Sequence, residues 1–208
     1  MKRITLAFAM AAVLTGTGLA QTFETIKLLP HSTERGGNLM QAFQHRASER
    51  EYGVTDLTLQ DLSDLLWAAN GINRPESNKR TAPTAQNKQE ISLYVVKYEG
   101  AYRYDAQTNV LEPVTAGDHR AIVADRQEFA QFAPVILVIV GDYSVFPAER
   151  NMALVDAGYV SQNIYLFCAG NGMSTVARGT MKTDELAEIL KLPEGQRPIL
   201  NHPVGYRK

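Results

Sequence analysis

Arg80-Thr81-Ala82-Pro83-Thr84-Ala85-Gln86-Asn87-Lys88-Gln89 runs through Glu90 into the strand-like Ile91-Ser92-Leu93-Tyr94-Val95-Val96, and this junction decides how the chain is read. The first ten residues contain no acid, and their amides and backbone groups both donate and accept hydrogen bonds. Pro83 fixes a turn, while Thr84 and Ala85 are small enough to let a flat ring approach the backbone. An ordinary surface connection has the same composition, so the loop alone leaves both readings open. The strand that follows is firmer, because it opens a series of strands separated by turn residues.

Working outward, strands are expected at 102–104 and 110–113, after the breaks Glu99-Gly100 and Gln107-Thr108-Asn109. The continuously apolar, β-branched 135–140 suits a strand buried on both faces. On the other side, Leu62, Leu65, Leu66 and Ala69 fall at i, i+3, i+4 and i+7, with Thr58 near the cap, Trp67 at the rim and Gly71 as the stop. A shorter helix starts at Asn38 and runs through Phe43 toward Arg46. Further helices are expected at 121–132, ending before Pro134, at 152–169, closed by Gly170-Asn171-Gly172, and around Leu186, Ile189 and Leu190. A last strand near Ile199-Leu200 leads into the tail. The pattern is α+β, with one mixed or antiparallel central sheet flanked by helices, in a single domain at 38–208 after a polar leader at 21–37.

The 208-residue chain opens with Lys2 and Arg3, an apolar 4–14 and the small residues Gly18-Leu19-Ala20, the layout of an export signal cleaved after Ala20. A membrane anchor is disfavoured, since the apolar part is short and interrupted by Thr15, Gly16, Thr17 and Gly18. The expected location is therefore exported, periplasmic, with no stable membrane association after cleavage. A net charge of −1 and no basic stripe give no reason to expect a nucleic-acid partner. The single cysteine, Cys168, lies in an apolar run with nothing basic beside it, which reads as a buried, inert thiol.

Candidate chemistry is scattered. In an extended backbone Arg46, Ser48 and Arg50 project to one side, presenting two guanidinium forks and a hydroxyl suited to a phosphate dianion. If the preceding helix instead continued, Arg46 and Arg50 would complement its dipole and pair with Glu49 or Glu51; from this segment alone that reading is preferred. Asn87 and Gln89 match the alternating carbonyl and imide edge of a flavin. In the stretch after the long helix, Gly179 beside Arg178 could offer a backbone N–H to an acceptor nitrogen. Arg207 and Lys208 could close over a phosphate, although basic C-termini are usually just solvated. Ser161-Gln162-Asn163 interrupts the long apolar helix and needs partners if buried. His31, His45, His119 and His202 lack metal-site spacing, and hydrolase elbows and phosphate-binding Gly-Lys loops do not occur.

Taken in order, these segments resemble the nitroreductase family of FMN-dependent oxidoreductases over roughly 39–208. The family's R-x-S-x-R segment matches Arg46, Ser48 and Arg50, and its P-S-x-x-N-x-Q loop matches Pro83 to Gln89. Leu65-Leu66-Trp67-Ala68-Ala69 with Arg80-Thr81-x-Pro83 is similar to the branch containing azoline-oxidising dehydrogenases. The resemblance implies an intertwined homodimer with FMN at each subunit interface. It places the phosphate on Arg46, Ala47, Ser48 and Arg50, joined by Arg207 or Lys208. It brings Pro83, Thr84, Ala85, Asn87 and Gln89 to the ring from the neighbouring subunit, and sets Ala177, Arg178 and Gly179 near the reactive nitrogen. The implied chemistry is ping-pong hydride transfer from NAD(P)H to a small electron-poor acceptor such as a nitroaromatic or quinone. The flavin carries that reaction, so no catalytic side chain and no metal are expected. The chain departs from the family pattern at Thr84 in place of serine, at Ala47 in place of a frequent arginine, at Arg178 where nitro-reducing members are often acidic, and in its export signal. Two other readings stand beside it: an exported flavin-binding or interaction module without turnover, and an azoline-type dehydrogenase acting on a modified peptide.

Overall fold

The computed structural model describes residues 23–146 and 151–208; the expected export signal lies outside the described residues. In chain order the elements are β1 (Ile26–Lys27), α1 (Leu39–His45), α2 (Leu59–Asn70), β2 (Ile72–Arg74), β3 (Lys79–Arg80), β4 (Ile91–Val96), β5 (Gly100–Asp105) and β6 (Val110–Ala116). There follow α3 (Arg120–Ala124), β7 (Val135–Asp142), α4 (Asn151–Gly170), β8 (Met173–Thr175), α5 (Thr183–Ile189) and β9 (Gln196–Tyr206). Seven strands form one sheet in the order β1-β6-β5-β4-β7-β9-β8, while β2 and β3 pair separately. Every pairing in the sheet is antiparallel, which decides between the two sheet types expected.

The sheet sits between two helical layers, and β7 shows why. Leu137 and Ile139 join Leu65, Leu66, Val160 and Ile164 on the side of α2 and α4. Ile136, Val138 and Val140 join Val123, Leu186 and Leu190 on the side of α3 and α5. A strand whose alternate residues are both covered must be apolar throughout, which is the pattern of 135–140.

Local rules set the helix ends. Asn38 caps α1 by accepting from Met40 N, and Thr58 caps α2 by accepting from Asp61 N. The helix expected at 121–132 is broken: Asp125 adopts a positive φ of 51°, and the chain resumes as a short 3-10 turn, Glu128–Phe132. The stretch read as a leader packs onto the domain. Leu28 enters the core, β1 pairs with β6, Arg35 bridges Asp61 and Asp64, and His31 stacks on Trp67 at 3.6 Å.

Cys168 is buried, and burial pushes its thiol pKa up, as expected of an inert core residue. Ser161-Gln162-Asn163 resolves three ways: Ser161 bonds His202, Asn163 donates to Ala69 O, and Gln162 is exposed. No helix among the described residues is long and apolar enough to cross a membrane.

Candidate functional site

Helix α1 stops at His45, so 46–50 lies outside regular structure and the arginines do not ride on a continuing helix. Glu49 N donates to Thr175 O at 2.9 Å, laying the segment against β8. The Glu49 carboxylate pairs with Arg207 at 3.1 Å, not with Arg46 or Arg50. Among the described residues neither the Arg46 nor the Arg50 guanidinium has a hydrogen-bond or ion-pair partner. Each rests instead near an aromatic ring: Arg46 lies 5.2 Å from the centroid of Tyr165, and Arg50 lies 6.0 Å from that of Phe129. Cations held over π faces keep their in-plane N–H donors free for an anion.

Ser48 meets the same Tyr165, with Oγ 2.8 Å from the phenolic oxygen, and Ala177 N donates to that oxygen at 2.8 Å. Arg46, Ser48 and Ala177 are therefore gathered by one side chain of α4. Beside them, Arg50, Arg207 and Lys208 line a concavity of about 290 Å³ with Glu49, Glu51 and Ser174. The tail is held there by Tyr206, whose hydroxyl donates to Asp61 and accepts from Thr58 N. Ala47 is exposed within the same segment.

The 83–89 loop is built differently. Gln86, Asn87 and Gln89 all take positive φ, between 52° and 55°. Such backbone is uncommon outside glycine and persists only where the surroundings impose it. Gln89 provides much of that constraint: its N–H donates to Thr84 Oγ1, Oε1 accepts from Arg80 and Nε2 donates to Asn78 O. Its amide serves the loop itself, whereas Pro83 and Asn87 are exposed. Ala85 N donates to Asp156 Oδ2 of α4 at 2.8 Å.

Glu90 ends this loop, buried, with both carboxylate oxygens lacking a partner if it is ionised. Burial and the adjacent Asp156 push its pKa up to about 7.

The three remaining candidates divide. Arg178 N donates to Asn201 O, and its buried guanidinium bonds Gln127, Asn201 and the carbonyls of Val123 and Ala124. Its side chain is a packing element, not an open one. Ala177 N is engaged by Tyr165, which leaves Gly179 as the exposed backbone position of the stretch.

Within one chain the two candidate groups do not converge. Asp156 and Tyr165, their respective anchors on α4, are nine residues apart. That is about 14 Å along the axis and roughly 180° around it.

A model of the nitroreductase family matches residues 43–206 of the chain. The chain belongs to the nitroreductase family. A relative in Methanocaldococcus jannaschii, assigned by name to the nitroreductases, is 33% identical over 175 residues, covering 77% of this chain and 86% of its own. A crystal structure from Ralstonia eutropha JMP134, likewise assigned by name, superposes with a TM-score of 0.82 at 34% identity, over 89% of this chain and 90% of that one. The NADPH:FMN oxidoreductase from Vibrio harveyi, complexed with NAD+, shares the fold at a TM-score of 0.60 and 19% identity, over 83% of this chain and 70% of that one. Nitroreductase-family proteins use FMN, and this chain is an FMN-dependent oxidoreductase.

Tyr165, Asp156, Glu90 and Phe129 were not singled out in the sequence. Tyr165 carried one usable signal, a hydroxyl inside the apolar run 164–169 that had to find a partner.

Proposed function

We propose that the chain binds the FMN phosphate through Arg46, Ser48 and Arg50, with Arg207 and Lys208 closing from the tail. The observation that carries this reading is the pair of guanidinium groups held over rings with their donors unpartnered among the described residues. A donor-rich set with its one nearby paired carboxylate, Glu49, turned toward Arg207 suits a phosphate dianion.

The ring would be met by Pro83, Thr84, Ala85 and Asn87 from a second copy of the chain, and by the Gly179 backbone. Placement of the two groups on opposite flanks of α4 supports a site completed by two subunits. So do the exposed apolar residues Leu154, Val155 and Tyr159 on the same helix, each nearly half exposed, and Leu39, Met40 and Phe43 on α1. Bound flavin would supply hydride acceptance and donation. The chain's residues would position it: cations fix the phosphate, the constrained 83–89 loop fixes the ring edge, and the second subunit excludes water.

The proposed reaction is ping-pong hydride transfer from NAD(P)H to a small electron-poor acceptor, a nitroaromatic or quinone. Export and cleavage after Ala20, to a periplasmic location, remain part of the proposal; N-terminal sequencing of the secreted protein checks them. The test of turnover is anaerobic mixing of the FMN-loaded chain with NADH or NADPH, followed by p-benzoquinone. Visible absorbance should bleach faster than for free FMN and recover with the quinone. Bleaching no faster than free FMN would leave a flavin-binding module without turnover.

A further inference from the structure

Tyr165 is the point where three separate parts of the chain meet, and its chemistry gives that meeting a direction. Its phenolic oxygen has one proton and two lone pairs. Ala177 N must donate to it, because a backbone amide has no other role. Between Tyr165 and Ser48, 2.8 Å apart, either hydroxyl can donate. The ring itself is fixed: it meets the buried His202 edge-on at 5.2 Å, and His202 is held by Ser161 and Thr175. Arg46 lies over the same ring.

We propose that Tyr165 is a positioning residue that orients the Ser48 hydroxyl and the Arg46 guanidinium toward the phosphate of the cofactor. This rests on the reading of 46–50 as the phosphate-binding segment. A phosphate dianion is an acceptor only, so Ser48 must give its proton to it. Tyr165 then becomes the donor to Ser48 Oγ, and the chain Ala177 N–H, Tyr165 O–H, Ser48 O–H, phosphate runs in one direction. Aligned hydrogen bonds polarise one another, which strengthens the last link. Without an anion the Ser48–Tyr165 bond can point either way. Tyr165 therefore favours a phosphate ester over a neutral hydroxyl at the same position, which is the difference between FMN and riboflavin.

The test measures FMN and riboflavin affinity of the full chain, in the wild type and in Y165F, S48A, S48A/Y165F and R46A/R50A. Y165F keeps the ring under Arg46 and against His202, so its melting temperature reports whether the fold survives. It should weaken FMN roughly tenfold, as loss of one charge-coupled hydrogen bond does, and leave riboflavin within about twofold of wild type. S48A/Y165F should bind FMN no more weakly than S48A, because the two hydroxyls act as one chain. Three outcomes overturn the inference: unchanged FMN affinity in Y165F, equal weakening of both ligands, or additive losses in the double variant. If R46A/R50A keeps its FMN affinity, the phosphate reading itself fails, and that result is distinguishable from the other three.

Discussion

Asp156 and Ala85 are joined across 71 positions of sequence by a 2.8 Å hydrogen bond from the Ala85 amide to a buried carboxylate oxygen. This bond ties the middle of the 83–89 loop to the long helix, and the Glu90 carboxyl rests against the same Asp156. Asp156→Ala should leave the Ala85 amide unpartnered, costing about 1–3 kcal/mol by urea denaturation. Asp156→Asn keeps an oxygen for Ala85 and removes the like charge beside Glu90, so it should cost less than half as much. Equal losses for the two substitutions would show that the hydrogen bonds do not matter.

Glu90 and His202 give stability opposing dependences on pH. Glu90 is raised from 4.5 to about 7, chiefly by burial and then by Asp156, so the native state binds more protons than the unfolded chain across that window. Its contribution is therefore lost as pH rises. His202 is lowered from 6.5 to about 3 by burial, so the unfolded chain binds more protons and stability is lost as pH falls. The windows overlap between 4.5 and 6.5, where the two slopes oppose each other. E90Q should unmask the His202 limb, with urea midpoints rising from pH 4.5 to 6.5 more steeply than in the wild type. Parallel profiles would refute the assignment.

Arg178 should matter to folding and not to acceptor choice. Its guanidinium is bonded to Gln127, Asn201 and two carbonyls, and its cation lies 5.5 Å from the centroid of Phe129, the ring that also carries Arg50. R178K keeps the charge and loses the planar fork, and should cost roughly 2–3 kcal/mol. Relative kcat/KM for a nitroaromatic against a quinone should stay unchanged. A switch in that ratio without loss of melting temperature would place Arg178 at the substrate.

Much of the fold was legible because its signals are local. The caps Asn38 and Thr58 and the doubly buried β7 follow from spacing and residue type alone. The break at Asp125 was not, because apolar spacing continues across it and the carbonyls of Val123 and Ala124 at the helix end are met by Arg178, more than 50 positions away. The candidate arginines were legible as residue types, but their release from Glu49 depends on Arg207, 158 positions away. Tyr165 and Asp156 were missed for the same reason: each looks like an ordinary helix residue until its partners, 117 and 71 positions off, arrive.

A second copy of the chain is expected on the part of α4 that carries Leu154, Val155 and Tyr159. Light scattering should give a dimer mass for the purified chain. V155R/Y159E should yield monomer and lose flavin together with the dimer, since the loop that meets the ring would come from the partner. A flavin-loaded monomer would contradict the two-subunit site.

The most direct measurement is the flavin content of the purified chain beside that of R46A/R50A, read from the visible spectrum at equal protein concentration. A yellow wild type near one FMN per chain is expected. The double variant should be colourless with an unchanged fold, affinity falling on the order of ten- to a hundredfold for each guanidinium at about 1.5–3 kcal/mol per charged bond. A double variant as fully loaded as the wild type would rule out Arg46 and Arg50 as the phosphate site.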